Sequence, residues 1–324
     1  EYSMSDVVKE LVEKWIATKN EDGSVWVVFP ESTKIPSCIL QKNNWTHGYL
    51  ASDLACVKYR MQNWSPKRII YHVDVRQQLH LQQVFEVSKM AWWLSPHPNP
   101  LPKVEGTTQL FHAYNWFISL KDWAMSSRKW NIIKLDTLLN EARDRAKKII
   151  LEKRQDLEET ELNEIAEIVW IWAIKYGYLS KSRTTDMIFD WDEFMTFEWN
   201  SGPYVSYNYV RTKSLFKNSG LSVEDIKNAK TTASFETDDE VYLFKMLEDY
   251  AEVLLETFDK ILPHILVGYV YNLTKAFSSF YNNVSILSET DDEKKKLRLK
   301  LILKFQETLF DAFEILAIRL PEKM

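Results

Sequence analysis

The chain has 324 residues, 45% of them hydrophobic and 27% charged, with a formal net charge of −5. That balance suits folded domains, with length for two of them, and it excludes a surface that holds nucleic acid by uniform positive charge. Any RNA contact has to come from a local basic patch. Cys38 and Cys56 are the only cysteines, no HExxH or CxxC occurs, and no apolar run reaches the ~18 residues of a membrane span. The expectation is a reducing, cytoplasmic setting with no structural zinc, no protein-bound metal and no membrane partner. The chain opens on Glu1 with no signal-peptide pattern after it, which reads as a truncated N-terminus.

In chain order, residues 5–18 predict a helix capped by Ser5, with Val8, Leu11, Val12, Trp15 and Ile16 on one face. Asp22-Gly23 predicts a turn and Val25 to Phe29 a strand. Leu50 to Gln62 has helical period, Arg68 to Val73 predicts a short buried strand, and Gln77 to Trp93 the helix after it. Strands alternating with helices predict a parallel α/β sheet. Residues 95–106 hold four prolines within seven residues, which neither a helix nor a central strand accepts, so they predict an exposed insertion. Phe111 to Leu120 and Ile132 to Leu135 predict strands. From Asp136 the pattern is helical: one apolar stripe runs from Leu138 to Ile150, another from Leu162 to Ala173. A helix restarts at Gly202-Pro203 and runs to about Lys217, and Leu221 to Glu236 is a polar connection. Helices then fill roughly 238–258, 263–283 and 291–316. The fold class is α/β plus all-α, an α/β domain over 1–200 followed by a helical bundle over 201–324.

Tyr49 and Asp53 are four apart and share one helix face. Spacing alone leaves open that Asp53 caps a helix and Tyr49 packs in a core. Gln77 and His80 follow the strand ending at Val73, near the strand end where α/β sheets bind ligands, although polar residues there also serve as caps. Tyr204 and Tyr207 share a face of the first bundle helix, as stacking platforms for unpaired bases or as core aromatics. Lys294, Lys295, Lys296, Arg298, Lys300 and Lys304 make the last helix basic, which fits either phosphate contacts or a solvated face.

Several segments together carry a resemblance. Tyr49-Leu-Ala-Ser-Asp53 is similar to the YLxxD element of arginyl-tRNA synthetases, and Arg76-Gln77-Gln78-Leu79-His80 to their next catalytic segment. Ala124-Met-Ser-Ser-Arg-Lys129 looks like their version of the class I KMSKS loop. Phe189-Asp-Trp-Asp192, Phe197-Glu198 and Gly202-Pro-Tyr-Val-Ser-Tyr207 resemble the junction into their anticodon-binding domain. Phe277 to Asn283 and Pro321 to Met324 resemble its end. The resemblance runs from about residue 20 to the last residue.

It implies the C-terminal half of a Rossmann-like class I catalytic domain followed by a helical anticodon-binding domain. It also implies ATP with Mg²⁺, L-arginine and tRNA(Arg) as substrates, and a monomer. Tyr49, Asp53 and Gln77 would hold the substrate guanidinium, a planar cation that a carboxylate grips through charge-assisted hydrogen bonds. Met125, Ser126, Ser127, Arg128 and Lys129 would form the mobile loop that offsets charge on the leaving pyrophosphate, with His80, Ser126 and Lys129 on ATP. Tyr204, Tyr207, Tyr281 and Met324 would lie against the anticodon loop. The sequence departs from the family at Ala124 and Ser127, where lysines are expected, and at Ser206, where a glutamine is usual. The HIGH signature is absent from the chain, so catalysis by this segment alone is not expected; a tRNA-binding protein without catalysis, or a diverged paralogue, is the alternative.

One number is anomalous. The chain has 13 Trp and 7 Gly, where about 7% Gly is usual. Trp45, Trp116, Trp123, Trp130, Trp170, Trp172 and Trp199 stand where the family has glycine; Trp15 and one of Trp92 and Trp93 are further candidates. Trp26, Trp64 and Trp191 read as tryptophans proper. Overpacking or strain at so many sites is expected to exceed the ~5–15 kcal/mol stability of a typical domain. A UGA codon decoded as glycine by the organism but translated as tryptophan would remove the conflict.

Overall fold

The structure is a computed structural model that describes residues 3–94, 108–116, 118–120, 123–124, 134–153, 157–194 and 201–321. Two compact units divide it, residues 1–117 and 118–324.

The first unit opens with α1 (Met4–Glu13), capped by Ser3 rather than Ser5. The Ser3 hydroxyl accepts from the Asp6 N–H while the Asp6 carboxylate returns a bond to Ser3, a capping box. Three short strands, β1 (Ala17–Lys19), β2 (Val25–Val27) and β3 (Cys38–Gln41), pair antiparallel in that order. After them come α2 (Tyr49–Trp64), β4 (Arg68–Tyr71), a 3₁₀ turn (Val75–Gln77), α3 (Gln78–Met90) and β5 (Gln109–His112). The parallel pairing appears where expected, between β4 and β5 across α3, registering Arg68 on Gln109 and Tyr71 on His112. The strand expected over 68–73 ends at Tyr71 and is not buried, with Ile70 exposed. Val7, Leu11, Leu40, Leu54, Val57, Val84 and Val87 make the core. At its edge burial works against ionisation of Glu10, yet bonds from Lys14, Lys58 and Trp93 hold its carboxyl down at about 2.

The second unit begins with β6 (Ile118–Leu120) and β7 (Trp123–Ala124), followed by α4 (Leu135–Lys153) and α5 (Glu159–Leu179). Next come β8 (Met187–Phe189), which joins β6 in parallel, and the single turn α6 (Trp191–Phe194). Sequence reasoning missed β8 because three residues are too few to show a period. Alanines 142, 146, 166 and 173 let α4 and α5 approach closely. The bundle holds α7 (Gly202–Ser219), the short α8 (Val223–Asn228) inside the expected polar connection, α9 (Asp238–Glu248), α10 (Tyr250–Lys260), α11 (Pro263–Asn283) and α12 (Asp292–Ile315). Phe277 on α11 stacks on Phe305 of α12 at 4.1 Å between centroids. Arg298 of α12 is buried and ties the bundle together: it bonds Glu240 of α9 at 2.7 Å, Glu289 at 2.5 Å and the Ser285 carbonyl at 2.7 Å.

The tryptophans divide into groups. Trp15, Trp45 and Trp92 have left-handed backbone, with φ of +60°, +66° and +59°. Trp170 and Trp172 are helical and packed, contrary to the expectation that only small residues fit there. The Trp170 indole donates to Glu167 at 2.9 Å, and that of Trp172 donates to the Arg319 carbonyl and lies 4.5 Å from Phe313. Trp116 is partly exposed and has no left-handed backbone. The Trp123 side chain, Trp130 and Trp199 lie outside the described residues, as do segment 95–106, residues 131–133 and Phe197-Glu198.

Candidate functional site

In the first unit Tyr49, Asp53 and His80 come together at the start of α2. The chain crosses β3 closely there: the Gly48 N–H bonds the Leu40 carbonyl at 3.0 Å, and a Cβ on Gly48 would lie 3.1 Å from the Ile39 carbonyl oxygen. Gly48 is the N-cap, so Asp53 sits inside the helix and caps nothing. Tyr49 is 89% exposed and belongs to no core. Asp53 is therefore no helix cap and Tyr49 no core aromatic. Asp53 meets His80 of α3, whose Nε2 lies 2.6 Å from the Asp53 Oδ2. The contact orients the carboxylate, while the Asp53 side chain stays 38% exposed and open to a ligand.

Gln77 is exposed at the turn into α3 and makes no side-chain cap bond. Beside it Arg76 clamps Asp74 through both carboxylate oxygens, at 2.8 and 2.9 Å, and holds that carboxyl below its usual range. Two further side chains near Asp53 escaped sequence reasoning. Tyr71 has its hydroxyl pKa raised chiefly by burial and also by the Asp53 charge, and Arg60 donates to that hydroxyl at 3.1 Å. An exposed aromatic, an oriented carboxylate and a nearby amide suit a cationic, planar ligand end.

The second unit carries an aromatic cluster on α7 and α11. The Ser201 hydroxyl accepts from the Tyr204 N–H, and Pro203 occupies the first turn, which starts α7 cleanly. Tyr204 is half-buried and meets Tyr271 edge-on at 6.1 Å. Tyr207 is exposed. The Arg211 guanidinium lies 4.7 Å from the Tyr207 ring and 4.4 Å from the Tyr281 ring, and donates to the Tyr207 hydroxyl at 3.1 Å. Tyr207 and Tyr281 thus come together through Arg211, which sequence reasoning missed; its signal was the four-residue spacing from Tyr207, which puts both on one face. Ser206 is buried and donates to the Gly202 carbonyl at 3.1 Å, so it has no outward hydrogen bond to give.

Three cations of the basic stripe of α12 have carboxylate partners, one of them in the interior. Arg298 is buried, Lys294 pairs with Glu236 at 2.7 Å and Lys296 with Glu293 at 2.9 Å. Residues Met125 to Lys129 and Met324 lie outside the described residues.

Comparison with known proteins adds the family. Residues 1–191 match the model of the class I tRNA synthetase (R) catalytic domain, and residues 205–324 match the DALR anticodon-binding domain. The chain belongs to the arginyl-tRNA synthetase family. It is 36% identical over 326 residues to the arginine–tRNA ligase of Fusobacterium nucleatum, covering 99% of this chain and 54% of that protein. It is 33% identical over 323 residues to that of Erwinia tasmaniensis, again 54% of that protein. The chain thus spans about half the length of the curated relatives it matches. Among solved structures, the arginyl-tRNA synthetase of Plasmodium falciparum superposes with a TM-score of 0.82 at 26% identity, covering 99% of this chain and 52% of that one. The Thermus thermophilus enzyme reaches the same TM-score at 22% identity, which attests the fold alone. The family's fold class, a class I catalytic domain with a helical anticodon-binding domain, is the one expected from the sequence. Among the described residues no helix is long and apolar enough to cross a membrane.

Proposed function

We propose that the intact protein is an arginine–tRNA ligase: it activates L-arginine with ATP and Mg²⁺ to an arginyl-adenylate and transfers the arginyl group to tRNA(Arg). The observation that carries this reading is the Asp53 cluster. A carboxylate held by His80 stands one helical turn from the exposed Tyr49, a receptor for a guanidinium, with Gln77 near the same helix pair. Asp53 supplies the charge-assisted bonds, Tyr49 an aromatic wall and Gln77 an amide; His80 holds Asp53 and binds ATP. Met125, Ser126, Ser127, Arg128 and Lys129 form the loop on the phosphates, with Ser126 and Lys129 on ATP itself. Residues 1–200 do this work, and residues 201–324 grip the anticodon loop through Tyr204, Tyr207, Tyr281 and Met324, in a cytoplasmic monomer.

A second reading, a tRNA-binding protein without catalysis, is favoured by Ala124 and Ser127 standing where the loop's two lysines are expected. Purified full-length protein separates the two. Arginine-dependent ATP–pyrophosphate exchange and charging of tRNA(Arg) support the ligase. Selective binding of tRNA(Arg) with neither activity supports the second reading, and no preference for tRNA(Arg) removes both.

A further inference from the structure

Among the described residues three tryptophans but only two glycines have positive φ. Trp15, Trp45 and Trp92 occupy the left-handed region that glycine enters freely and L side chains enter against a clash of Cβ with the backbone. Each sits in a motif that names the residue expected. Trp15 follows Lys14, the C-cap of α1, its N–H bonding Val12 O at 3.0 Å while that of Ile16 reaches back to Leu11 O at 2.9 Å. Trp92 repeats this at the end of α3, with Trp92 N–H to Lys89 O at 2.9 Å and Trp93 N–H to Ser88 O at 3.2 Å. This pair of bonds is the Schellman closure, whose left-handed position is usually glycine.

Trp45 has a counterpart within the chain. At residues 42–46, Trp45 N–H bonds Lys42 O at 3.0 Å and Lys42 N–H bonds Thr46 O at 2.9 Å. At residues 20–24, Gly23 N–H bonds Asn20 O at 3.0 Å and Asn20 N–H bonds Ser24 O at 2.8 Å. The two five-residue turns have the same bond pattern, with φ +84° at Gly23 and +66° at Trp45. One carries the glycine that this turn demands and the other a tryptophan.

Nor does packing recover the strain. The three residues are 94%, 68% and 79% exposed in chain order. Among the described residues only Lys19 lies over the Trp45 ring, at 5.2 Å. Tryptophans elsewhere are engaged: Trp93 donates to Glu10 at 2.9 Å, Trp26 to the Ser24 hydroxyl at 3.1 Å, and Trp191 packs on Phe189 at 4.8 Å. The backbone also separates the neighbours Trp92 and Trp93, giving the glycine conformation to the first alone. Lys34, Ser65, Ile261 and Ala317 are left-handed too, but none of them belongs to a residue type in excess while glycine is deficient.

We propose that the polypeptide made in its cell of origin carries glycine at positions 15, 45 and 92, encoded by UGA read as glycine. The assignment is independent of the catalytic reading, because it rests on backbone conformation and exposure. The coding DNA and peptide mass spectrometry of the protein from its source cells test it. UGA codons and glycine at 15, 45 and 92, with UGG and tryptophan at 26, 93 and 191, are expected. UGG, or tryptophan in the native peptide, at any of the three overturns the proposal, since one codon assignment covers them all. A second measurement tests the physical argument. In the full-length protein expressed with tryptophan at these positions, Trp15→Gly, Trp45→Gly and Trp92→Gly should each shift the folding equilibrium about tenfold toward the native state. No gain at any site overturns the glycine assignment there.

Discussion

Replacing Arg298 by methionine should destabilise the anticodon-binding unit by about 3–5 kcal/mol. Arg298 and Glu240 are 6% and 2% exposed, and their 2.7 Å bond is joined by a second carboxylate, Glu289, at 2.5 Å. Methionine fills much of the same space but leaves Glu240 buried without its cation, and the uncompensated charge sets the magnitude. For a unit of this size that corresponds to a drop in Tm on the order of 10 °C. Glu240→Gln keeps a side-chain oxygen for the N–H groups of Glu236 and Thr237, at 2.8 and 2.9 Å, so the start of α9 survives. The double variant should then recover about 0.5–3 kcal/mol relative to the sum of the single losses. Urea unfolding followed by far-UV circular dichroism measures all three. Burial opposes ionisation of Glu240, but bonds from Arg298 and those two backbone N–H groups outweigh it and lower its pKa. A folded-state pKa below the unfolded one contributes stability above the ordinary glutamate value of about 4.3, lost as pH falls through the depressed value. Wild type should therefore lose more on acidification than the double variant. Strict additivity of the two substitutions, or a loss below about 1 kcal/mol for Arg298→Met, would refute the reasoning.

Tyr207→Ala and Arg211→Ala should each weaken binding of an arginine-tRNA anticodon stem-loop, Tyr207→Ala by about 1–3 kcal/mol if one base stacks there; fluorescence anisotropy reads this, and Arg211→Ala should also flatten the salt dependence if the guanidinium meets a phosphate. In the full-length protein, Asp53→Asn should raise KM for arginine in pyrophosphate exchange by about 1.5–3 kcal/mol, the worth of a hydrogen bond to a charged group. His80→Ala should raise the KM for arginine less, because it removes the orientation of Asp53 and not a bond to arginine itself; equal effects would assign His80 a direct contact with arginine. Gly177→Ala should lower stability by about 1–3 kcal/mol in thermal unfolding, since its Cβ would fall 2.5 Å from the Phe194 ring.

Long periodic stretches were legible and short ones were not. The helices over 263–283 and 291–316 repeat apolar residues often enough to fix their faces, and their bounds agree with α11 and α12 to within a residue. β3 and β8, of four and three residues, carry no such repeat and need their partners to be seen. The predicted helix over 238–258 becomes α9 and α10, which meet at Asp249. At the candidate site, period placed Tyr49 and Asp53 together, but only tertiary packing of α2 against α3 reveals the Asp53–His80 bond. For α12 the run of Lys and Arg left phosphate contacts and a solvated face both open, and it hid a third case: Arg298 is interior because carboxylates 58 and 9 residues away meet it.

The way the chain leaves α12 bears on how the protein is handled. After Ala317 turns left-handed, the Lys175 ammonium bonds the Ala317 carbonyl at 2.6 Å, the Trp172 indole bonds that of Arg319, and Ile318 is buried between them. Residues 317–319 are therefore moored to α5. Met324, the residue proposed to meet the anticodon, lies three residues beyond Pro321, the last described position, so a tag or dye attached directly after it would crowd that contact. A fusion made there that binds RNA poorly says little about the unfused protein.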